Sequence, residues 1–149
     1  MDNKRQPQFR NVLIVEDDLG QQPLWQHILL RSSKDASITW AVSAEQALTI
    51  VQQSAVYELN FDLIIVDLFL AGSETGLSFL NCDEVKKSKA QTILVSAANK
   101  AHLDNFVHKQ LQNTEVIAKP LNVVRCEKVL NELLMKRQVY GSESYQKTK

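Results

Sequence analysis

Leu63-Ile64-Ile65-Val66 is apolar at every position, and three of the four residues are β-branched. A strand with one face in water alternates polar and apolar residues. An unbroken run therefore reads as a strand buried on both faces, the kind found at the centre of a parallel sheet. The run ends on Asp67, followed by Leu68-Phe69-Leu70-Ala71-Gly72. Open α/β sheets bind ligands beyond the carboxyl ends of their strands, so a carboxylate in this position is the first pointer to a site.

The same pattern recurs. Val12-Leu13-Ile14-Val15 stops at Glu16-Asp17-Asp18, Thr92-Ile93-Leu94-Val95 at Ser96, and Val116-Ile117-Ala118 at Lys119-Pro120. Ile38-Thr39-Trp40-Ala41-Val42 is a fifth extended run. Between these lie helical spacings. Leu24, Trp25, Ile28 and Leu29 share one face, with Pro23 tolerable in a first turn. Ser43-Ala44-Glu45-Gln46 is a capping box that opens a helix striped by Ala44, Ala47, Leu48 and Val51. A weaker stripe predicts a helix from Leu77 to Lys87, and Leu103, Phe106, Val107 and Leu111 predict one through 98–111. Val123, Cys126, Leu130, Leu133 and Leu134 mark the last. Five strands alternating with five helices imply right-handed crossovers and a doubly wound, flavodoxin-like α/β fold. The expected strand order is 2-1-3-4-5, with the crevice at the ends of strands 1 and 3. The domain is expected over 10–137, between flexible tails at 1–9 and 138–149. The polar stretch from Gly141 predicts no attached output domain.

A chain of 149 residues fits one core. Its 17 basic and 17 acidic side chains balance, so nothing argues for nucleic acid. Cys82 and Cys126 have no metal-ligand spacing and read as reduced thiols. No apolar run follows Lys4-Arg5, and none is long enough to span a bilayer. A cytoplasmic protein without membrane contact is the expectation.

A parallel sheet of this order brings Glu16, Asp17, Asp67, Ser96 and Lys119 to one crevice, although they span most of the sequence. Converging carboxylates repel one another and raise each other's pKa. A hard divalent cation relieves this, and Mg²⁺ suits a few carboxylates plus a carbonyl and waters. With a lysine and a serine beside them, the set suits a phosphoryl group held on Asp67. Singly, each residue has a plainer reading: Asp17 and Asp18 favour a helix N-terminus, Asp62 starts its strand, Ser96 caps a helix, and Lys119-Pro120 makes a turn. His27, His102 and His108 fall on helices and read as surface.

Leu13-Ile14-Val15-Glu16-Asp17-Asp18, Asp62-Leu63-Ile64-Ile65-Val66-Asp67, Ser96-Ala97 and Lys119-Pro120, in this order and spacing, resemble the receiver domain of two-component response regulators. The resemblance covers roughly residues 10–137. It implies that Asp67 is the phospho-acceptor, served by a phosphohistidine on a sensor histidine kinase or a phosphotransfer protein. It implies that Glu16, Asp17, Asp67 and the backbone carbonyl of Phe69 hold Mg²⁺. Lys119 would pair with the phosphoryl group, through a cis bond to Pro120, and Ser96 would be the switch hydroxyl. The output face would be the helix of 98–111 with strand 5 and helix 5, presenting Lys100, His108, Lys109, Arg125 and Lys128 to a protein target, with reversible homodimerisation as a further expectation.

This chain departs from the family pattern at named positions. Val116 replaces the aromatic residue whose rotation reports phosphorylation. Ala71 replaces a proline, the stretch from Asp67 to Gly76 is about one residue longer, and Phe69 and Ala98 cannot position a water. The last point predicts a long-lived phosphorylated state. Two other functions compete with a stand-alone switch. A Mg²⁺-dependent phosphatase using Asp67 as nucleophile would need an acid where Phe69 stands. The alternative left open by Val116 is a receiver-like interaction module with impaired or no switching.

Overall fold

The computed structural model describes residues 6–70, 75–97 and 113–147, with residues 138–147 described by their backbone alone. The expected helix over 98–111, with Ala98, Lys100, His102, His108 and Lys109, lies outside the described residues, as does Ala71. The strands are β1 (Asn11–Val15), β2 (Ser37–Ala41), β3 (Leu63–Asp67), β4 (Gln91–Ser96) and β5 (Thr114–Ala118). All pairs are parallel, in the order β2-β1-β3-β4-β5, as the sequence predicts. The helices are α1 (Gln22–Ser32), α2 (Ala44–Val56), α3 (Gly76–Leu80), α4 (Asp83–Lys87) and α5 (Val123–Lys147).

The unbroken apolar runs fill two cores. Alternate side chains of a strand point to opposite faces. On one face Leu13, Val15, Ile64, Val66, Leu94 and Val116 pack with Ala44, Ala47 and Val51 of α2, Phe79 and Leu80 of α3, and Val85 of α4. On the other, Val12, Ile14, Leu63, Ile65, Ile93, Val95 and Ile117 meet Trp25, Ile28 and Leu29 of α1 and Cys126, Leu130, Leu133 and Leu134 of α5. Each large side chain withdrawn from water in this way contributes about 1.5–3 kcal/mol. The pairing fixes the register at the far edge: Val15 lies beside Val66, Asp67 beside Val95, and Ser96 beside Ala118. The residues that end these strands are therefore neighbours.

Local chemistry sets the element boundaries. Ser43 accepts from the Gln46 amide at 3.1 Å, and the Gln46 side chain reaches back to the Val42 amide at 2.8 Å, one residue beyond the usual box. The single helix expected from Leu77 to Lys87 is two short ones. Cys82, in an extended conformation, separates them. Asp83-Glu84 and Lys86-Lys87 then fall at the first and last turns of α4, each sign where it favours the helix dipole. The charged run that reads as plain surface is thus also the reason a second helix starts there.

Phe9 is fully buried against α1 and α5, and its amide donates to the Oγ of buried Ser33 at 2.8 Å. At the other end α5 runs on to Lys147. Asp62, expected only to open β3, ties the chain together at the amino edge of the sheet. Its carboxylate accepts from the Arg10 and Asn11 amides, both at 2.8 Å, and pairs with Arg137 of α5 at 2.7 Å. Asp62→Ala strands these partners and should lower stability by about 1–3 kcal/mol in a denaturant titration. Chemistry at the opposite edge should be unaffected.

Candidate functional site at the carboxyl edge of the sheet

Four strands deliver the site. Glu16 follows β1 and is held there by its own amide, which donates to the Ala41 carbonyl of β2 at 2.9 Å. Asp67 ends β3, and Ser96 ends β4. Lys119 follows β5, with its amide on the Ser96 carbonyl at 2.8 Å and a cis peptide bond to Pro120. Glu16, Asp67 and Ser96 are buried, at 2%, 5% and 1% exposure, whereas Asp17 is exposed. Burying polar side chains is costly unless they are partnered, so a group of them at one sheet edge marks a site.

The partners are specific. Lys119 Nζ lies 2.5 Å from Asp67 Oδ2 and 3.5 Å from Glu16 Oε2, bridging the two buried carboxylates. The other oxygen of Asp67 accepts from the Phe69 amide at 3.0 Å. Glu16 Oε1 accepts from the Asp18 amide at 3.1 Å, and Asp18 caps the following 3₁₀ turn by accepting from Gly20 at 2.9 Å. Glu16, Asp17 and Asp67 each offer a carboxylate oxygen, and these atoms lie within 4.8 Å of one another. Hard anionic oxygens at that separation suit a small divalent cation. The Phe69 side chain is 64% exposed.

Charge follows from the packing. Burial, then the neighbouring Asp67, pushes Glu16 from an ordinary 4.5 up to about 7, against the opposing pull of the Asp18 amide and Lys119. For Lys119, burial works against the ammonium, but Asp67 and then Glu16 more than offset it, so its pKa sits above the ordinary value. The lysine keeps its positive charge, and burial brings the Glu16 proton equilibrium toward neutrality.

The site residues named from sequence are thus brought together: Glu16, Asp17, Asp67 and Lys119 as one charged cluster, with Ser96 at the adjoining strand end and Phe69 contributing its amide. The sequence profile of the response regulator receiver domain matches residues 12–131. The chain belongs to this family. No curated protein sequence matches it.

Solved structures give the same fold. A CheY-like receiver domain from Methanospirillum hungatei is 19% identical, with a TM-score of 0.70 over 89% of this chain and 98% of that one. The chemotaxis response regulator CheY4 of Vibrio cholerae is 18% identical, with a TM-score of 0.69 over 84% and 98%. The receiver domain of NtrX from Brucella abortus is 23% identical, with a TM-score of 0.66 over 83% and 98%. At such identities the likeness is one of fold. Receiver domains are phosphorylation-dependent switches that work with histidine kinases or phosphotransfer proteins and with downstream targets. Among the described residues, no helix is long and apolar enough to cross a membrane.

Two features of this receiver domain escape sequence reasoning. The Phe69 amide is a backbone contact to Asp67 that side-chain patterns do not signal. The other is Gly76. A Cβ there would overlap the main-chain carbonyl oxygen of Asp67 and stand 2.8 Å from its carbon and 3.0 Å from Val66 Cγ2. The only sign in the sequence is a glycine at the first position of a helix, where a better helix former would otherwise serve.

Proposed function

We propose that this receiver domain acts as a cytoplasmic phosphorylation switch. Asp67 accepts a phosphoryl group from a phosphohistidine on a sensor histidine kinase or phosphotransfer protein. The modified protein then signals by protein contact or passes the group onward. The observation that carries this reading is Lys119 Nζ at 2.5 Å from Asp67 Oδ2, within a cluster that also holds Glu16 and Asp17. A cation already paired with the acceptor stands where phosphoryl oxygens need neutralising, and positioning is most of what such a transfer requires.

Glu16, Asp17 and Asp67, with the carbonyl of Phe69, would hold Mg²⁺. When bound, the ion supplies positive charge against the phosphoryl oxygens. The chain's own residues do the rest. An oxygen of Asp67 attacks phosphorus as the P–N bond of phosphohistidine breaks, and the imidazole nitrogen keeps the electron pair. The Phe69 amide fixes the direction of the carboxylate. Lys119 takes up the charge, and the Ser96 hydroxyl is the donor for one phosphoryl oxygen. Contacts with a target are expected on β5 and α5, where Arg125 and Lys128 are exposed.

The raised pKa of Glu16 gives a pH dependence. The folded state holds this proton more tightly than the unfolded chain, so its contribution is fully present below 4.5 and is lost as pH rises through about 7. Without divalent cation, thermal stability should therefore fall between those limits. Mg²⁺ binds the deprotonated cluster, so it should raise the melting temperature more at pH 8 than at pH 5.5. Scanning calorimetry with and without Mg²⁺ checks both signs.

Incubation with acetyl phosphate and Mg²⁺ tests the function. A switch takes up one phosphoryl group per chain. A phosphatase would turn over many equivalents, and the missing acid at Phe69 argues against it. An interaction module, the reading that Val116 favours, would take up none.

A further inference from the structure

Leu68 and Gly76 meet beside the acceptor's own backbone. The Leu68 amide donates to the Val95 carbonyl at 2.9 Å, and the Leu68 carbonyl accepts from the Gly76 amide at 3.0 Å. Gly76 is buried, so its Cα lies directly on the Asp67 carbonyl with no room for a side chain. It is also the first residue of α3. Thr75 and Ser78 cap that helix reciprocally, each amide on the other's hydroxyl at 3.1 Å. Phe79 and Leu80 then anchor it in the core beside Val66, Leu68, Leu94 and Val116. The five residues of α3 are thereby fixed at both ends. The same core reaches Val85 of α4, and an exposed bond from Gln52 to Glu84 at 3.4 Å links α2 to α4.

We propose that Gly76 joins the acceptor to α3: it positions Asp67 for phosphoryl transfer, and through it the state of Asp67 reaches α3 and the α2–α4 surface. This rests on the reading of Asp67 as acceptor and adds a second path to the one expected through β5. Phosphorylation takes a carboxylate oxygen into the mixed-anhydride bond of an acyl phosphate and would redistribute the partners of the Phe69 amide and Lys119. The main chain of residues 67–69 must adjust, and Gly76 leaves no slack between that main chain and α3. Val116, buried and aliphatic, offers no rotation by which β5 could report the same event.

Two variants and the wild-type protein test this. In wild type, beryllofluoride with Mg²⁺ should shift the methyl resonances of Leu80 and Val85. Gly76→Ala should slow labelling by acetyl phosphate at least about tenfold while far-ultraviolet circular dichroism stays native-like, because a displaced carbonyl misplaces the reacting oxygen. Phe79→Leu, which touches no acceptor atom, should label within about twofold of wild type yet lose most of the Val85 shift. That last result separates transmission from simple support of the fold. A wild type that labels while Leu80 and Val85 stay still would overturn the inference and leave the acceptor reading intact. So would Gly76→Ala labelling at the wild-type rate. A wild type that takes no label would overturn both.

Discussion

Asp67→Asn takes up no phosphoryl group from acetyl phosphate under conditions that label the wild type to one equivalent. The substitution keeps the shape of the side chain, and an amide oxygen can still accept from the Phe69 amide, as Asp67 Oδ1 does at 3.0 Å. What disappears is the anionic oxygen that bonds to phosphorus and the charge that holds Lys119 Nζ at 2.5 Å. The loss should be complete, because among the described residues only Asp67 has one carboxylate oxygen on the Lys119 ammonium at 2.5 Å and the other on the Phe69 amide. Glu16 is buried beside it, 3.5 Å from the lysine, and Asp17 is exposed. Stability should not fall with it. Replacing one of two buried carboxylates by a neutral group removes part of what raises Glu16 to about 7, so the variant should melt no lower than wild type at pH 8. Intact mass spectrometry and calorimetry on the same sample check both parts. Undiminished uptake by the Asn variant would place the acceptor elsewhere.

The sheet and its edge were legible because their signals are written in residue type at a fixed period. Leu63 to Val66 must be buried on both faces, and the two cores divide those side chains alternately, Leu63 and Ile65 to one face and Ile64 and Val66 to the other. Strand order then follows from chirality, and the residues just beyond each strand meet without any local motif. What could not be read depends on backbone or on partners far along the chain. The break at Cys82 turns on a capping conformation, and the apolar stripe there is too weak to show it. Asp62 gains its role from Arg10 and Asn11 at the amino edge of the sheet and Arg137 in the middle of α5. Phe9 looked like tail because a single aromatic in a polar stretch has no period. Gly76 carries no side-chain signal at all, since its contribution is the absence of one.

Lys119→Met should reduce the rate of labelling by about 10²–10³, the range for losing one preorganised donor to developing charge. Methionine fills the space of the aliphatic stem, so the test removes charge while largely keeping volume. Two buried carboxylates would then face each other without the ammonium that now bridges them at 2.5 and 3.5 Å. Glu16 should respond first, because Lys119 is one of the groups now lowering its pKa, and that pKa should climb beyond about 7. The stability cost consequently depends on pH. At pH 5.5, below the raised Glu16 pKa, the cost is smaller, whereas at pH 8 the variant must protonate Glu16 or hold its charge without Lys119 and should melt well below wild type. Mg²⁺ should recover part of that stability, since it would supply positive charge to the Glu16, Asp17 and Asp67 carboxylates, but not the rate, because the ammonium that would take up charge on the phosphoryl group is gone. A variant that labelled within threefold of wild type would show the lysine to be a structural counter-ion only. Stability restored together with rate by Mg²⁺ would show that a divalent cation can replace the ammonium now on Asp67 Oδ2.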